Sequence, residues 1–202
     1  MINDKINLLD CTLRDGGYYN NWFFEKELIN EYLRVMSLIK IDYVEIGFRF
    51  LDKIKTKGPC AYSEEIFLRS LKIPKNLKIG VMVNAADFIG QKNIIELAKK
   101  NFKPKRKSII SLVRLACHYH EVIEILPLIN WLKKSGYKVG VNIMQIPELS
   151  SREIKNVVKE IKKTKADVLY FADSMGSLDS IQTKKIVNQI KTLWKKSTGI
   201  HT

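Results

Sequence analysis

The sequence is poor in the residues that mark several common protein classes. Its three cysteines, Cys11, Cys60 and Cys117, are widely spaced and form no CxxC pair, which argues against a structural zinc site or a disulfide-rich secreted domain. No apolar run approaches the roughly 20 residues of a membrane span, and the N-terminus lacks the apolar segment of a signal peptide. We therefore expect reduced thiols and a soluble, cytoplasmic protein without a membrane partner.

Acidic residues are also scarce, because 35 Lys and Arg stand against 21 Asp and Glu and give a formal net charge of +14. The lysines are scattered over predicted helices, and Lys103–Lys107 is the one local basic patch. A nucleic-acid surface would concentrate them on one face. We interpret the charge as a solvated surface that favours an anionic small molecule, and expect no nucleic-acid partner.

Short β-rich runs alternate with helical patterns, and a unit of about 30 to 37 residues recurs along the chain. The predicted strands are Ile6–Cys11, Tyr43–Phe48, Lys78–Asn84, Ser108–Leu115, Lys138–Met144 and Val168–Asp173, with a seventh beginning at Gly199. Their nearly continuous apolar character is typical of parallel strands that are covered on both faces.

Six helices are predicted between these strands: Glu25–Ile39, Glu64–Leu71, Lys92–Lys100, His120–Lys134, Arg152–Lys163 and Ile181–Lys195. Ser150 and Glu153 predict a capping box at the start of the fifth, and Gly136 suits the end of the fourth. Pro127 is expected to divide or kink the fourth.

This alternation predicts an α/β fold, either an open doubly wound sheet or a (β/α)8 TIM barrel, and periodicity alone does not separate the two. No GxGxxG or GxxxxGK(S/T) loop follows a strand, which excludes the commonest nucleotide sites of open sheets. A barrel needs about 250 residues. This chain would supply about six βα units and the start of strand seven, as one domain over residues 1–202 that is incomplete at its C-terminus.

The run Asp10–Gly17 ends the first predicted strand with an Arg-Asp pair and two glycines. At the carboxyl end of a parallel strand, Asp15 could ligate a hard metal ion and Arg14 could hold an oxyanion. A surface ion pair at a glycine turn is the alternative.

Three further segments make the pattern specific. They are Val44–Phe48, Ala172–Gly176 and Gly199–Thr202. Together with the DxTLRDG-like run at Asp10, the sequence resembles the DRE-TIM metallolyase superfamily, which includes 3-hydroxy-3-methylglutaryl-CoA lyase and 4-hydroxy-2-oxovalerate aldolase. The resemblance covers the whole chain and implies a TIM-barrel catalytic domain.

The resemblance implies a divalent metal cofactor, Mn²⁺ or Mg²⁺, with Asp15 and His201 as ligands. It further implies that Arg14 stabilises an enolate and that Glu45 orients Arg14. Asp173 and Ser174 fall in the family's turn after strand six, where substrate binds. The family's second metal histidine would follow directly after the last residue of this sequence, so we expect the chain to end inside this motif and to bind metal poorly.

Other residues leave alternatives open. A buried Glu45 requires a partner, and an arginine is the natural one. Arg114 could meet a substrate carboxylate or Glu45, or could reach solvent. Asn142 is expected to line the substrate pocket. His118 and His120 form an HxH pair at a strand-to-helix junction, where helix-start or loop roles are favoured over metal binding.

The catalytic base is the least defined role. Aldolases of the family place a histidine three residues after the metal aspartate, and here that position is Tyr18. Tyr18, Tyr19, a metal-bound water or a residue outside this chain could serve. A tyrosine would need a lowered pKa to act as a base near neutrality.

We expect a metal-dependent carbon–carbon lyase, an aldolase, that cleaves a 4-hydroxy-2-oxo acid through a pyruvate-type enolate, with a small 2-oxo acid as its ligand. A homo-oligomer is a further expectation. One alternative is a Claisen-type acyl-CoA condensing synthase of the same superfamily. Another is a truncated remnant without catalysis that acts as a binding or scaffold protein.

Overall fold

The structure is a computed structural model that describes residues 6–202. Its strands are β1 (Leu9–Asp10), β2 (Tyr43–Phe48), β3 (Lys78–Asn84), β4 (Ile110–Cys117), β5 (Lys138–Ile143), β6 (Val168–Ala172) and β7 (Ser197–His201). Its α-helices are α1 (Thr12–Asn20), α2 (Lys26–Leu38), α3 (Glu65–Ser70), α4 (Ile94–Asn101), α5 (Val122–Lys134), α6 (Ser151–Lys162) and α7 (Ser180–Leu193). None of these helices is long and apolar enough to cross a membrane.

The strands form one seven-stranded sheet whose hydrogen-bonded neighbours follow chain order from β1 to β7. The pairings of β1 with β2, β2 with β3, β5 with β6 and β6 with β7 are parallel. A doubly wound sheet reverses its strand order at a switch point, whereas a TIM barrel adds each strand beside the last. The strand order therefore agrees with the TIM-barrel alternative.

Contacts within the chain divide it into two compact units, which we describe separately. Unit 1 runs from the N-terminus through Met82 and includes Lys105–Leu112. Unit 2 comprises Val83–Pro104 and Val113–Thr202. The prediction of a single domain over residues 1–202 stays a prediction.

The core of unit 1 fixes the position of β2. Ile29 and Leu33 on α2 and Val44 and Ile46 on β2 are fully buried, and burying such side chains contributes roughly 1.5–3 kcal/mol each. Successive residues of a strand point to opposite faces. Glu45 therefore points away from the face that Val44 and Ile46 occupy.

The core of unit 2 includes α5, whose side chains Ile125, Leu128, Ile129 and Leu132 are fully buried. The helix runs unbroken through Pro127, so the prediction of two helical pieces was wrong. Proline removes one helical N–H donor. The buried apolar stripe on both sides of Pro127 keeps the helix whole despite that loss.

Most other boundaries lie within two residues of the prediction, but the first strand is shorter. Only Leu9–Asp10 pair as β1, while Ile6 and Leu8 are 81% and 52% exposed. The capping box of Ser150 and Glu153 is present at the start of α6, and Gly136 adopts a positive φ of 95° after α5.

Candidate functional site

Helix α1 carries the Arg14-Asp15 pair directly after β1 in unit 1. An Asp10 carboxylate oxygen accepts a hydrogen bond from the Thr12 backbone N–H at 2.9 Å. The Asp15 N–H donates to the Cys11 carbonyl at 2.8 Å, which closes the first helical turn. The two glycines that suggested a turn therefore lie inside a helix.

Trp22 explains why the glycines are tolerated there. The chain leaves α1 through positive φ values at Asn21 (56°) and Trp22 (60°), and the indole Nε1 donates to the Arg14 carbonyl at 2.9 Å. A Cβ on Gly17 would lie 2.0 Å from the indole ring. Sequence reasoning missed this positioning role of Trp22, for which the signal is a Gly-Gly pair a few residues before an Asn-Trp turn.

Arg14 is buried between two carboxylates. Its Nε donates to Glu45 Oε1 at 2.8 Å, and its guanidinium also forms an ion pair with Asp15. The Glu45 side chain is fully buried, whereas the Asp15 side chain is 47% exposed. Burial lowers the pKa of Arg14, but the charges of Glu45 and Asp15 outweigh it and raise that pKa above its ordinary value. The expected pairing of Arg14 with Glu45 is present.

Tyr18 lies one helical turn after Arg14, with its ring 4.9 Å from that of Trp22 and 6.0 Å from that of Phe48. Partial burial raises the pKa of Tyr18 although the residue is 63% exposed, while the charge of Arg14 opposes this rise and that of Asp15 adds to it. A tyrosine base would need the opposite shift. The structure therefore places Tyr18 beside the Arg14-Asp15 pair but disfavours it as a base. Tyr19 is 95% exposed.

Tyr32 on α2 is a further residue that sequence reasoning missed. Its hydroxyl donates to Asp10, the carboxylate that also accepts from the start of α1. Burial and this hydrogen bond raise the pKa of Tyr32. Tyr32 therefore stays protonated and helps to fix the junction between β1 and α1.

Cys11 and Asp15 are the metal-ligand candidates of unit 1. One donor atom from each lies within 4.8 Å of the other. A thiol and a half-exposed carboxylate at the start of α1 could share an ion, and the carboxylate suits Mn²⁺ or Mg²⁺ better than the thiol does.

In unit 2, Arg114 lies in the middle of β4 because that strand continues to Cys117. The side chain is 1% exposed, so the alternative of an arginine that reaches solvent was wrong. Its guanidinium carbon lies 4.6 Å from the centroid of the Tyr170 ring on β6. On β5, Asn142 is 3% exposed, and its Oδ1 has no hydrogen-bond partner among residues 6–202.

Asp173 and His201 lie together at the carboxyl ends of β6 and β7. The Asp173 N–H donates to the His201 carbonyl at 3.0 Å. The Asp173 carboxylate accepts from the Ser177 and Leu178 N–H groups at 3.0 and 2.8 Å, and these hydrogen bonds lower its pKa. Asp173 therefore shapes the loop that carries Ser174, which is exposed.

His118 and His120 stack with ring centroids 5.6 Å apart. The His118 N–H donates to Glu121 Oε2 at 2.8 Å, in a capping box before α5. Within residues 6–202, neither histidine belongs to a group of three or more metal-ligand side chains. This supports the helix-start interpretation.

No family model matches this chain, but its sequence has a curated relative. Over 200 residues it is 26% identical to a 4-hydroxy-2-oxovalerate aldolase of Carboxydothermus hydrogenoformans, an alignment that covers 98% of this chain and 57% of that protein. The chain thus spans little more than half the length of that relative.

Solved structures share the fold. The N-terminal domain of a Bacteroides vulgatus protein described as an aldolase matches with a TM-score of 0.80 and 25% identity, over 96% of this chain and 63% of that one. The HMG-CoA lyase of Bacillus subtilis matches with a TM-score of 0.73 and 10% identity, over 97% of this chain and 67% of that one. At 10% identity the second match supports the fold alone, and it confirms the predicted TIM-barrel class.

Proposed function

We propose that this chain is a member of the DRE-TIM metallolyase superfamily and forms part of a divalent-metal-dependent aldolase that cleaves 4-hydroxy-2-oxo acids through a pyruvate-type enolate, a proposal that its similarity to a 4-hydroxy-2-oxovalerate aldolase supports. The observation that carries this proposal is the buried Arg14, fixed by Glu45 and paired with the half-exposed Asp15. A preformed cation beside a carboxylate with free access to solvent suits a reaction that develops negative charge next to a metal ion.

The donor set fits a divalent ion. The resemblance makes Asp15 of unit 1 and His201 of unit 2 the proposed ligands, and Cys11 offers a donor atom beside that of Asp15 in unit 1. The carboxylate suits Mn²⁺ and Mg²⁺, whereas the imidazole and the thiolate favour softer divalent ions such as Zn²⁺. When bound, the ion would supply Lewis acidity at the substrate's oxygen atoms.

Arg14 is proposed to stabilise the enolate. In the cleavage direction the hydroxyl proton at C4 leaves, the C3–C4 bond breaks, and its electron pair becomes the enolate of pyruvate. Arg14 can meet this charge without reorganisation because Glu45 holds its Nε at 2.8 Å. Removing one such donor typically reduces turnover by about 10²–10³. Glu45 acts through Arg14 and is a positioning residue.

Tyr18 is proposed as a proton donor and not as a base. A raised pKa keeps its hydroxyl protonated near neutrality. The enolate must regain a proton at C3 to become pyruvate, and the Tyr18 Oη proton can supply it. Removal of the C4 hydroxyl proton then falls to another group.

The residues of unit 2 are proposed to bind the substrate. Arg114 provides a cation that suits a carboxylate, and Asn142 lies on the neighbouring strand β5. Asp173 would act indirectly, by shaping the loop that presents Ser174.

The test is a pyruvate-release assay with 4-hydroxy-2-oxo acids of different lengths, with Mn²⁺, Mg²⁺ or a chelator, beside an acyl-CoA condensation assay. We expect metal-dependent pyruvate release that Asp15→Asn abolishes, together with weaker Mn²⁺ binding in a calorimetric titration. The exposed Asp52 gives the matched control, Asp52→Asn. Condensation of an acyl-CoA without pyruvate release, or equal Mn²⁺ affinity of Asp15→Asn and wild type, would contradict the proposal.

A further inference from the structure

The side chains of Arg114, Asn142 and Tyr170 lie on one face of the strands of unit 2. A Cβ built on Gly140 would lie 2.6 Å from the Tyr170 ring and 3.3 Å from Arg114 Cγ, so Gly140 faces the same side as these two residues. Asn142 follows two residues later on β5 and therefore shares that face. In the register of the sheet, Asn142 lies directly beside Tyr170.

The Tyr170 ring forms a fixed platform on this face. A Cβ on Gly199 of β7 would lie 2.2 Å from the ring, so the ring covers the backbone of both neighbouring strands. The Arg114 guanidinium stacks on it at 4.6 Å. A stacked cation of this kind is held in place by the ring quadrupole. A cation therefore lies on the same face of the strands as Asn142.

The amide oxygen of Asn142 is the anomaly on this face. The residue is 3% exposed, yet Oδ1 has no hydrogen-bond partner. A buried acceptor without a donor destabilises the folded protein, because it loses its hydrogen bond to water and gains none in return. Leucine would fill a similar volume without leaving an acceptor unpaired. The presence of the amide therefore suggests that its oxygen binds a ligand.

Because Asn142 Oδ1 is an acceptor, its partner must be a hydrogen-bond donor. The Arg114 guanidinium on the same face disfavours a positively charged donor. A neutral hydroxyl group satisfies both conditions. We propose that Asn142 Oδ1 accepts a hydrogen bond from a second hydroxyl group on the substrate, so that the enzyme selects 4-hydroxy-2-oxo acids whose carbon chain carries an additional hydroxyl. This inference rests on the proposed function.

The register leaves room for such a chain. Asn142 pairs with Tyr170, Tyr170 with Gly199, and His201 lies two residues further along β7 on the same face. The backbones of Asn142 and His201 are therefore about 10 Å apart across the sheet, which is two strand spacings, and about 7 Å apart along it, which is two residues. The substrate, the bound ion and the two side chains would together cover this span.

The test compares Asn142→Leu with wild type, using 4-hydroxy-2-oxopentanoate and its 4,5-dihydroxy counterpart. In wild type we expect kcat/KM to be at least about tenfold higher for the dihydroxy acid, because one buried hydrogen bond distinguishes the two. In Asn142→Leu the ratio should fall to near one. Asn142→Asp keeps an acceptor and should retain the preference, although its charge weakens binding of both acids.

Two readouts do not depend on turnover. Without ligand, Asn142→Leu should unfold at a higher temperature than wild type, since it removes an unpaired buried acceptor, while the exposed control Asn188→Leu should not. With a chelator present, the dihydroxy acid should raise the melting temperature of wild type more than the monohydroxy acid does, and this difference should vanish in Asn142→Leu.

The outcomes separate the two proposals. If neither acid releases pyruvate but the dihydroxy acid still stabilises wild type selectively, the aldolase proposal fails and the hydroxyl inference stands. Equal stabilisation by both acids, or a lower melting temperature of unliganded Asn142→Leu, would overturn the inference and leave Asn142 as a site for a bound water only.

Discussion

The two units each bury an arginine, but in different surroundings. Arg14 in unit 1 lies against the carboxylates of Glu45 and Asp15. Arg114 in unit 2 lies on the face of the Tyr170 ring, on the same side of its strands as the unpaired amide oxygen of Asn142. The first arrangement fixes a charge beside a solvent-accessible carboxylate. The second combines a hydrogen-bond acceptor, the Asn142 amide oxygen, with an aromatic ring on which a cation stacks.

In the proposed function, this difference separates catalysis from substrate recognition. Charge that develops during a reaction is best met by groups whose geometry is set in advance, which the ion pairs of Arg14 provide. Selection among similar substrates depends on a polar group that loses a partner when the wrong substrate binds. Asn142 fits that second role. The variants below test whether the units can be altered independently.

The largest effect is expected from Glu45→Gln. Removing the fully buried carboxylate leaves Arg14 buried without its main counter-charge, and breaking a buried pair in this way costs about 3–5 kcal/mol. Urea unfolding should show this loss. Glu31→Gln removes a carboxylate from the exposed ion pair with Arg34, and its loss of unfolding free energy should be far smaller because solvent screens that pair. Equal losses in the two variants would refute the importance of the Arg14–Glu45 pair.

Arg14→Lys should preserve the charge but lose the fork of donors that Glu45 orients. We expect kcat for pyruvate release to fall by about 10²–10³, with Mn²⁺ affinity nearly unchanged. The control is Arg34→Lys, at an arginine that is 58% exposed and pairs only within α2. Turnover of Arg14→Lys within a few fold of wild type would remove Arg14 from its proposed role.

Gly199→Ala tests the platform of unit 2. Its Cβ would lie 2.2 and 2.4 Å from Tyr170 ring atoms, which cannot move aside freely because Gly140 bounds the ring on the other side. Overpacking of this kind costs about 1–3 kcal/mol. Gly16→Ala in α1 meets only Phe24 at 3.8 Å and should be neutral or stabilising. Thermal unfolding of both variants would show whether the Tyr170 ring is as confined as the distances indicate.

The strand pattern predicted the repeated βα architecture, because apolar runs mark buried strands. The residues alone predicted only that a buried Glu45 needs a cation, and the family resemblance implied that this cation is Arg14. The choice between an open sheet and a barrel depends on which strands pair. That is a long-range property, and the sequence pattern leaves it open.

The helical start of the site was not predicted. Gly16 and Gly17 have low helix propensity, and only the indole of Trp22 over Gly17 shows why α1 forms there. The sequence also did not predict that the Asn142 oxygen lacks a hydrogen-bond partner, because this depends on neighbours from other strands. The raised pKa of Tyr18 also arises from burial that a helix position alone does not reveal.

The smallest effect concerns Asp173, which shapes the loop after β6. Hydrogen bonds from the Leu178 and Ser177 N–H groups lower its pKa below the ordinary value of 3.8. A carboxyl group with a lowered folded-state pKa contributes stability that is fully present above its unfolded pKa and is lost as the pH falls through the folded pKa. Wild type should therefore lose a small increment of unfolding free energy below about pH 4, and Asp173→Asn should lack this component of the pH dependence. Asp52→Asn, at an exposed carboxylate, should keep the wild-type profile. Parallel pH profiles for wild type and Asp173→Asn would show that the loop does not depend on the charge of Asp173. In that case Asp173 would be assigned to substrate binding and not to support of the loop backbone.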